Sequence, residues 1–123
     1  MNITLWLIQV LLAAVMAVTG GIKLTQPRLA LAGRMGWVVD ASDAQVKGIG
    51  ALEVAAAIGL VAPPILHIAT FLTPLAAVGV VCLMIGAMVT HVRIGEQDRI
   101  WVNVLLLVLA AAVAVGRFGP YPF

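Results

Sequence analysis

The sequence predicts an all-α membrane protein: a bundle of four transmembrane helices with a short interfacial helix between the first and the second. The first observation is composition, since 63% of the 123 residues are hydrophobic and 10% are charged, whereas soluble domains carry about 25% charged residues. A chain of this length buries too little surface to hide so much apolar area from water. The second observation is four apolar runs, each near the length of about 20 residues that crosses a bilayer. We therefore expect one membrane domain over residues 1–123.

The predicted elements follow one another closely along the chain. The four spans are predicted at residues 3–22, 46–62, 67–90 and 100–116, and the interfacial segment is predicted at residues 27–39. The first run is longer than the apolar region of a signal peptide and is followed by further runs, so we interpret it as a retained helix. Pro63 and Pro64 are expected to end the second span, because proline interrupts helical hydrogen bonding.

The connection between the first two spans is too polar to cross a bilayer. It mixes apolar and basic side chains, and Pro27 suits the first turn of a helix, so the pattern predicts an amphipathic helix that lies in the membrane interface. A loop with scattered apolar residues is the alternative. Ser42 and Gln45 match a capping box, which predicts the start of the second helix. Asp43 and Lys47 are spaced to form a weak ion pair on that helix.

Basic residues are distributed unequally between the two sides of the predicted bundle. One of them, Arg117, lies on the side of the termini. Six lie on the other side: Lys23, Arg28, Arg34, Lys47, Arg93 and Arg99. Cytoplasmic loops carry the excess of lysine and arginine. We therefore expect both termini outside the cell and the 24–45 connection in the cytoplasm.

Four polar side chains converge in the cytoplasmic half of the membrane, because successive spans run in opposite directions. They are Lys23, Glu53, His91 and Asn103, one from each span. An acidic residue at the centre of a membrane helix costs about 2.5–3.5 kcal/mol. Glu53 should therefore face the bundle interior, within hydrogen-bond reach of at least one of the other three, and line a pocket. Burial favours its protonated form and a nearby cation favours its ionised form, and the sequence leaves both open.

Each of these four residues also has a structural interpretation. Glu53 and Asn103 can serve helix packing alone, Lys23 can anchor a helix end at the interface, and His91 can be solvated there.

Glu53 and His91 do not complete a four-ligand zinc site, so no metal is expected. Cys82 is the single cysteine, which excludes a paired-thiol redox motif. The sequence contains no phosphate-binding motif, and its charge reflects the membrane bias, so no nucleic acid is expected.

Small residues form two ridges that are suited to close helix packing. They are Ala51, Ala55 and Gly59 in the second span and Ala110 and Ala114 in the fourth. We expect one ridge to mediate a homodimer or a partner contact, and the alternative is that both ridges are used in packing within the monomer. Gly50, Glu53 and Ala57 lie on a different face of the second span, where small neighbours leave room for a ligand beside the acid.

Four segments carry a family resemblance: "TGGIKL", "GIGALEVAAAIGLVAP", "HVRIGE" and "AVGRFGP". In this order and spacing they resemble the DoxX-like family of small four-helix membrane proteins, and the resemblance covers nearly the whole chain. Lys23, Glu53 and His91 match the family pattern, while Asn103 rests on the topology argument. Members of the wider group are associated with a membrane thiosulfate:quinone oxidoreductase and with a membrane oxidoreductase complex. The resemblance thus implies the bacterial inner membrane as the location and a membrane oxidoreductase as a partner.

Three functions remain open at this point. The first is a pocket of Lys23, Glu53, His91 and Asn103 that binds membrane lipids or another lipophilic, quinone-like or isoprenoid-like ligand, as an accessory of a membrane redox system. A quinone is then the candidate cofactor, although none is required. The second is an enzyme in which Glu53 and His91 are the catalytic acid–base pair on a lipophilic substrate. The third is a proton-coupled exporter, ranked last because such exporters carry their glutamate in the first helix.

Overall fold

The computed structural model of the chain describes residues 2–26, 42–93, 95, 100–120 and 122. Each of its helices is long and apolar enough to cross a membrane, and the predicted all-α four-helix membrane bundle is confirmed. The helices are α1 (Asn2–Thr25), α2 (Asp43–Leu66), α3 (Leu72–Arg93) and α4 (Ile100–Phe118). The interfacial segment predicted at 27–39 lies outside the described residues, as do Arg28, Arg34, Arg99 and the side chain of Asp43.

The four helices pack in a ring in which each is antiparallel to its neighbours. The α1–α2 and α3–α4 contacts are the most extensive, and the α4–α1 contact is the smallest. Large side chains from every helix meet in one buried core: Leu12, Met16, Leu60, Val80 and Val113. The predicted ridge of Ala110 and Ala114 lies in this core, whereas Ala51 and Ala55 are exposed on the outside of α2.

The capping box predicted at the start of α2 is confirmed. Gln45 donates its backbone N–H to Ser42 Oγ at 3.1 Å, and Ser42 donates its backbone N–H to Gln45 Oε1 at 2.9 Å. Both bonds satisfy backbone donors that the first turn of a helix leaves without partners. The start of α2 is therefore set locally, by two residues that the sequence already identifies.

Lys47 joins the first turn of α2 to the end of α1. Its ammonium group donates to the backbone carbonyls of Lys23 at 3.1 Å, Leu24 at 2.8 Å and Gln26 at 3.0 Å. These contacts match the three hydrogens of the ammonium group, and they cap carbonyls that the end of α1 would otherwise leave unsatisfied. Lys47 thereby fixes the axial position of the end of α1 relative to the start of α2.

The prediction that the second span ends at residue 62 is wrong. Helix α2 continues through Pro63 and Pro64 to Leu66. A proline lacks the N–H that would bond to the carbonyl four residues earlier. The two prolines therefore release the carbonyls of Gly59 and Leu60, and the helix persists only if other donors reach those oxygens.

Two side chains from neighbouring helices supply these donors. Thr73 Oγ1 of α3 donates to the carbonyl of Gly59 at 3.0 Å, and Gln9 Nε2 of α1 donates to the carbonyl of Leu60 at 2.8 Å. Thr73 and Gln9 are both fully buried. Prolines are tolerated in membrane helices when neighbours satisfy the released groups, and this is the physical reason that α2 does not stop.

The turn between α2 and α3 accounts for another shifted boundary. The predicted third span began at residue 67, but His67 and Ala69 have left-handed backbone φ angles of 57° and 47°, and α3 begins at Leu72. His67 ends α2 there, and its side chain is exposed, as expected for a residue away from the polar convergence. Helices α1 and α4 extend a few residues beyond the predicted spans.

Candidate functional site

A close crossing of α1 and α2 underlies the site. A Cβ atom added at Gly20 would lie 2.7 Å from the carbonyl oxygen of Gly50, and one added at Gly50 would lie 2.9 Å from the carbonyl oxygen of Gly20. Real Cβ atoms do not approach so closely, so both positions need glycine. Small residues let membrane helices approach in this way, and the crossing brings the last turn of α1 against Glu53.

Glu53 is 5% exposed, and both of its carboxylate oxygens are bonded to α1. Lys23 Nζ donates to Oε1 at 2.6 Å, and Thr19 Oγ1 donates to Oε2 at 2.6 Å. The predicted contact between Glu53 and at least one of its three candidate partners is therefore confirmed, through Lys23. Hydrogen bonds to charged groups are shorter and stronger than neutral ones, so this cluster ties α1 firmly to α2.

Thr19 was missed by the sequence analysis. It lies four residues before Lys23, and residues with that spacing share one face of a helix. Once Lys23 is assigned to the bundle interior, the same spacing places Thr19 there too. The signal was therefore present, but threonine is so common in membrane helices that the residue type alone does not reveal it.

A cavity of about 760 Å³ adjoins the Lys23–Glu53 pair and is lined by all four helices. The four predicted residues all line it: Lys23 and Glu53 from the bonded pair, and His91 and Asn103, both half-buried, from α3 and α4. We call this part of the bundle the Glu53 end. The alternation of helix direction thus brings the predicted site residues to one cavity, although they are spread over 81 positions in sequence numbering, from Lys23 to Asn103 inclusive.

Most of the remaining wall is apolar. It is formed by aliphatic and aromatic side chains that include Val15, Met16, Leu83, Trp101 and Leu106. Pockets that hold small molecules are typically about 300–1,000 Å³, mostly apolar, with a few convergent polar groups. The cavity matches that description, and it has room for an amphipathic molecule with a polar head.

A second polar cluster lies at the opposite end of the bundle, which we call the Arg117 end. Arg117 is 3% exposed. It donates from Nε to Gln9 Oε1 at 2.7 Å and from Nη1 to Asn2 Oδ1, and its guanidinium lies 5.8 Å from the centroid of the Trp6 ring. Because Gln9 also bonds to the carbonyl of Leu60, this cluster connects α4, α1 and α2.

The sequence analysis used Arg117 as a marker of topology and did not predict this cluster. One signal was available, since Gln9 is an amide inside the first apolar run. A polar side chain in that environment requires partners. Its partners, however, lie 51 and 108 positions away along the chain, which the sequence does not indicate.

Comparison with known protein families gives a match over most of the chain. Residues 7–113 match the sequence model of the DoxX-like family. No curated protein and no solved structure matches the chain. The matched range contains Thr19, Lys23, Glu53, His91 and Asn103, so the polar residues of the Glu53 end lie within the part that the family model covers.

Proposed function

The chain belongs to the DoxX-like family, and from this premise and the geometry of the Glu53 end we propose that it is a membrane binding module for an amphipathic ligand, such as a quinone or an isoprenoid-like lipid. The observation that carries the proposal is the cavity of about 760 Å³ beside a buried ion pair, lined also by His91 and Asn103. Membrane-embedded ionisable residues mark ligand or substrate sites more often than they serve packing alone.

The charge of the cavity wall supports a neutral polar head. Lys23 and Glu53 carry opposite charges and are bonded to each other at 2.6 Å, so together they add no net charge to the wall. The amide of Asn103 offers both donors and an acceptor, and the imidazole of His91 offers one or the other at each nitrogen. A head with carbonyl or hydroxyl groups matches these partners better than a phosphate or an ammonium group does.

The donor set also fits a quinone. The ring carbonyls of a quinone accept hydrogen bonds, and Asn103, whose side-chain amide carries two N–H donors, lines the cavity. The apolar wall, which includes Met16 and Leu106, suits the ring faces. A bound quinone would supply two-electron redox chemistry to a membrane oxidoreductase, and this chain would bind and orient it as an accessory of that system.

The bonding of Glu53 suits a role in ligand binding. Lys23 and Thr19 each donate to one carboxylate oxygen of Glu53 and hold the carboxylate against α1, and each oxygen keeps a further lone pair that can accept a hydrogen bond from a ligand. The enzyme with Glu53 and His91 as its acid–base pair and the exporter remain secondary hypotheses.

The location and the assembly follow as parts of the same proposal. With both termini outside a bacterial inner membrane, the Glu53 end lies in the cytoplasmic half, where Lys23, Lys47 and Arg93 supply positive charge. Since Ala110 and Ala114 are buried in the core, a homodimer or a contact with an oxidoreductase partner would use the face of α2 that carries the exposed Ala51.

Tryptophan fluorescence provides a direct test of ligand binding. The chain has three tryptophans, and Trp101 lines the cavity, so the double variant Trp6→Phe/Trp37→Phe keeps one reporter at the site. In lipid nanodiscs, decylubiquinone should quench Trp101 saturably. Asn103→Leu and His91→Phe should each weaken binding by about tenfold, because a lost buried hydrogen bond costs about 1 kcal/mol or more.

Matched controls are available one position along each helix. Val104→Leu and Val92→Phe alter exposed side chains that are 44% and 49% accessible, and they should leave the affinity unchanged. Quenching that does not saturate, or that responds equally to the site and control variants, would contradict the binding function. A conversion of the quinone by the purified protein that His91→Phe abolishes would favour the enzyme hypothesis instead.

A further inference from the structure

A groove runs along the lipid-facing side of the contact between α2 and α3. Its volume is about 830 Å³, and its lining is almost entirely apolar, including Leu52, Ala55, Ala62, Ala76, Gly79 and Cys82. We call it the α2–α3 groove. Small side chains form its floor, while large exposed side chains stand at its sides, such as Leu52 and Leu75, which are 59% and 48% accessible.

The α2–α3 groove adjoins the cavity at the Glu53 end. Cys82 and Leu83 line both spaces, so the two meet at one turn of α3. From there the cavity follows α3 toward His91, and the groove follows it in the other direction toward Leu72. The polar groups are concentrated in the cavity, and the lining of the groove is apolar.

We propose that the α2–α3 groove holds the linear apolar tail of the ligand whose polar head lies in the cavity, so that the protein prefers long-tailed quinones or isoprenoid lipids to short ones. This inference rests on the proposed function. A polar head held beside Glu53 keeps its tail at a high effective concentration next to the groove. The separation of a polar cavity from an apolar groove matches the two parts of such a molecule.

The expected gain from the tail is moderate. A tail in the bilayer is already out of water, so the groove offers closer packing and no additional hydrophobic transfer. We therefore expect a tail that fills the groove to strengthen binding about tenfold, which corresponds to about 1.4 kcal/mol. Affinities must be expressed as the mole fraction of ligand in the lipid, so that partitioning of the tail into the bilayer cancels.

Three glycines provide matched variants. A Cβ atom at Gly79, Gly86 or Gly48 would meet no other atom within 4 Å, so leucine can be introduced at each without a backbone clash. Gly79 lines the α2–α3 groove, Gly86 lines the cavity, and Gly48 is exposed near the start of α2. The same substitution therefore fills the groove, the cavity or neither.

The test measures quenching of Trp101 by two quinones in nanodiscs. Duroquinone has a head without a tail, and decylubiquinone has both. Gly79→Leu should weaken decylubiquinone about tenfold and leave duroquinone within about twofold of the native affinity. Gly86→Leu should weaken both quinones, and Gly48→Leu should weaken neither. In the native chain, affinity should rise with tail length and then level off, a result that requires no substitution.

The outcomes separate this inference from the proposed function. If Gly86→Leu abolishes binding of both quinones while Gly79→Leu changes neither, the cavity binds the head and the α2–α3 groove does not hold a tail. If Gly79→Leu converts a dimer into a monomer without changing either affinity, the groove is an interface between copies, and the inference is overturned. If neither quinone binds to the native chain, the inference and the proposed function are both overturned.

Discussion

The two ends of the bundle both bury a basic side chain, but they use it differently. At the Arg117 end, Arg117 of α4 bonds to Gln9 of α1, which in turn bonds to the backbone of α2 at Leu60. The polar groups there hold three helices together. At the Glu53 end, the pair of Lys23 and Glu53 joins α1 to α2, and this pair lines a cavity together with the polar residues on α3 and α4.

This difference shows how to interpret a polar residue inside a membrane helix. Gln9 and Glu53 are both buried and both bonded, so burial and bonding do not distinguish packing from function. What distinguishes them is the space beside them. Only a polar group that borders a cavity can exchange contacts with a ligand, and Glu53 borders one whereas Gln9 is enclosed by the helices that it joins.

The largest effect on stability is expected from Glu53→Gln. The substitution leaves the ammonium group of Lys23 buried without its counter-charge, and losing one partner of a buried ion pair costs about 3–5 kcal/mol. The double variant Glu53→Gln/Lys23→Met should regain most of this loss, because it removes the isolated charge as well. The stabilities of the native chain and the variants are compared by the free energy of unfolding, measured in mixed micelles of mild and denaturing detergent.

The single variant Lys23→Met completes this double-mutant cycle. It should lower the free energy of unfolding less than Glu53→Gln does. A buried carboxyl without its cation can take up a proton and become neutral, and Glu53 would keep the hydrogen bond from Thr19 Oγ1 to its other oxygen. A Glu53→Gln protein that is as stable as the native chain but no longer binds decylubiquinone would show instead that Glu53 is a protonated ligand-binding acid.

The next largest effect is expected from Gln9→Leu at the Arg117 end. It removes the donor to the carbonyl that Pro64 releases and the acceptor for Arg117 Nε. We expect a loss of roughly 2–4 kcal/mol in the free energy of unfolding, since each buried polar group that loses its partner costs about 1–3 kcal/mol. Val10→Leu, at a lipid-facing position that is 54% exposed, is the control.

Ligand binding by the Gln9→Leu variant tests whether the Arg117 end and the Glu53 end are independent. Below its unfolding temperature, the Gln9→Leu protein should bind decylubiquinone within about twofold of the native affinity, because the Arg117 end contributes packing alone. A large loss of affinity in a folded Gln9→Leu protein would show that the two ends are coupled.

A smaller effect is expected from Gly20→Ala at the helix crossing. The new methyl group would lie 2.7 Å from the backbone oxygen of Gly50 and 2.9 Å from Val54 Cγ2, so α1 and α2 must separate. Overpacking of this kind costs about 1–3 kcal/mol. Gly21→Ala, where the methyl group meets nothing within 4 Å, should not destabilise the protein, because alanine is more favourable than glycine in a helix by about 0.5–1 kcal/mol.

Gly116→Ala extends this measurement to the Arg117 end. Its methyl group would also lie 2.7 Å from another atom, but that atom is Cδ1 of Leu5, the far end of a flexible side chain that can rotate away. The cost should therefore be lower than for Gly20→Ala. Equal costs at the two positions would mean that the backbone crossing beside Glu53 is no more constrained than a side-chain contact.

Several features of this protein follow from the sequence alone, because their physical causes are local or depend only on chain direction. Apolar runs of membrane-spanning length predict four helices, and Ser42 and Gln45 predict the start of α2. The alternating direction of the spans, together with the cost of an acid exposed to lipid, places Lys23 and Glu53 at the same depth. Their contact in the structure confirms that inference.

Other features were decided by the tertiary structure, because they depend on which distant group reaches a given atom. The sequence shows that Pro63 and Pro64 release two carbonyls, but only the packing of α1 and α3 brings Gln9 and Thr73 to them and lets α2 continue. The cavity beside Glu53 is decided in the same way. Composition identifies polar groups that need partners, whereas the distances between helices determine which of those groups are enclosed by packing and which border a space that a ligand can fill.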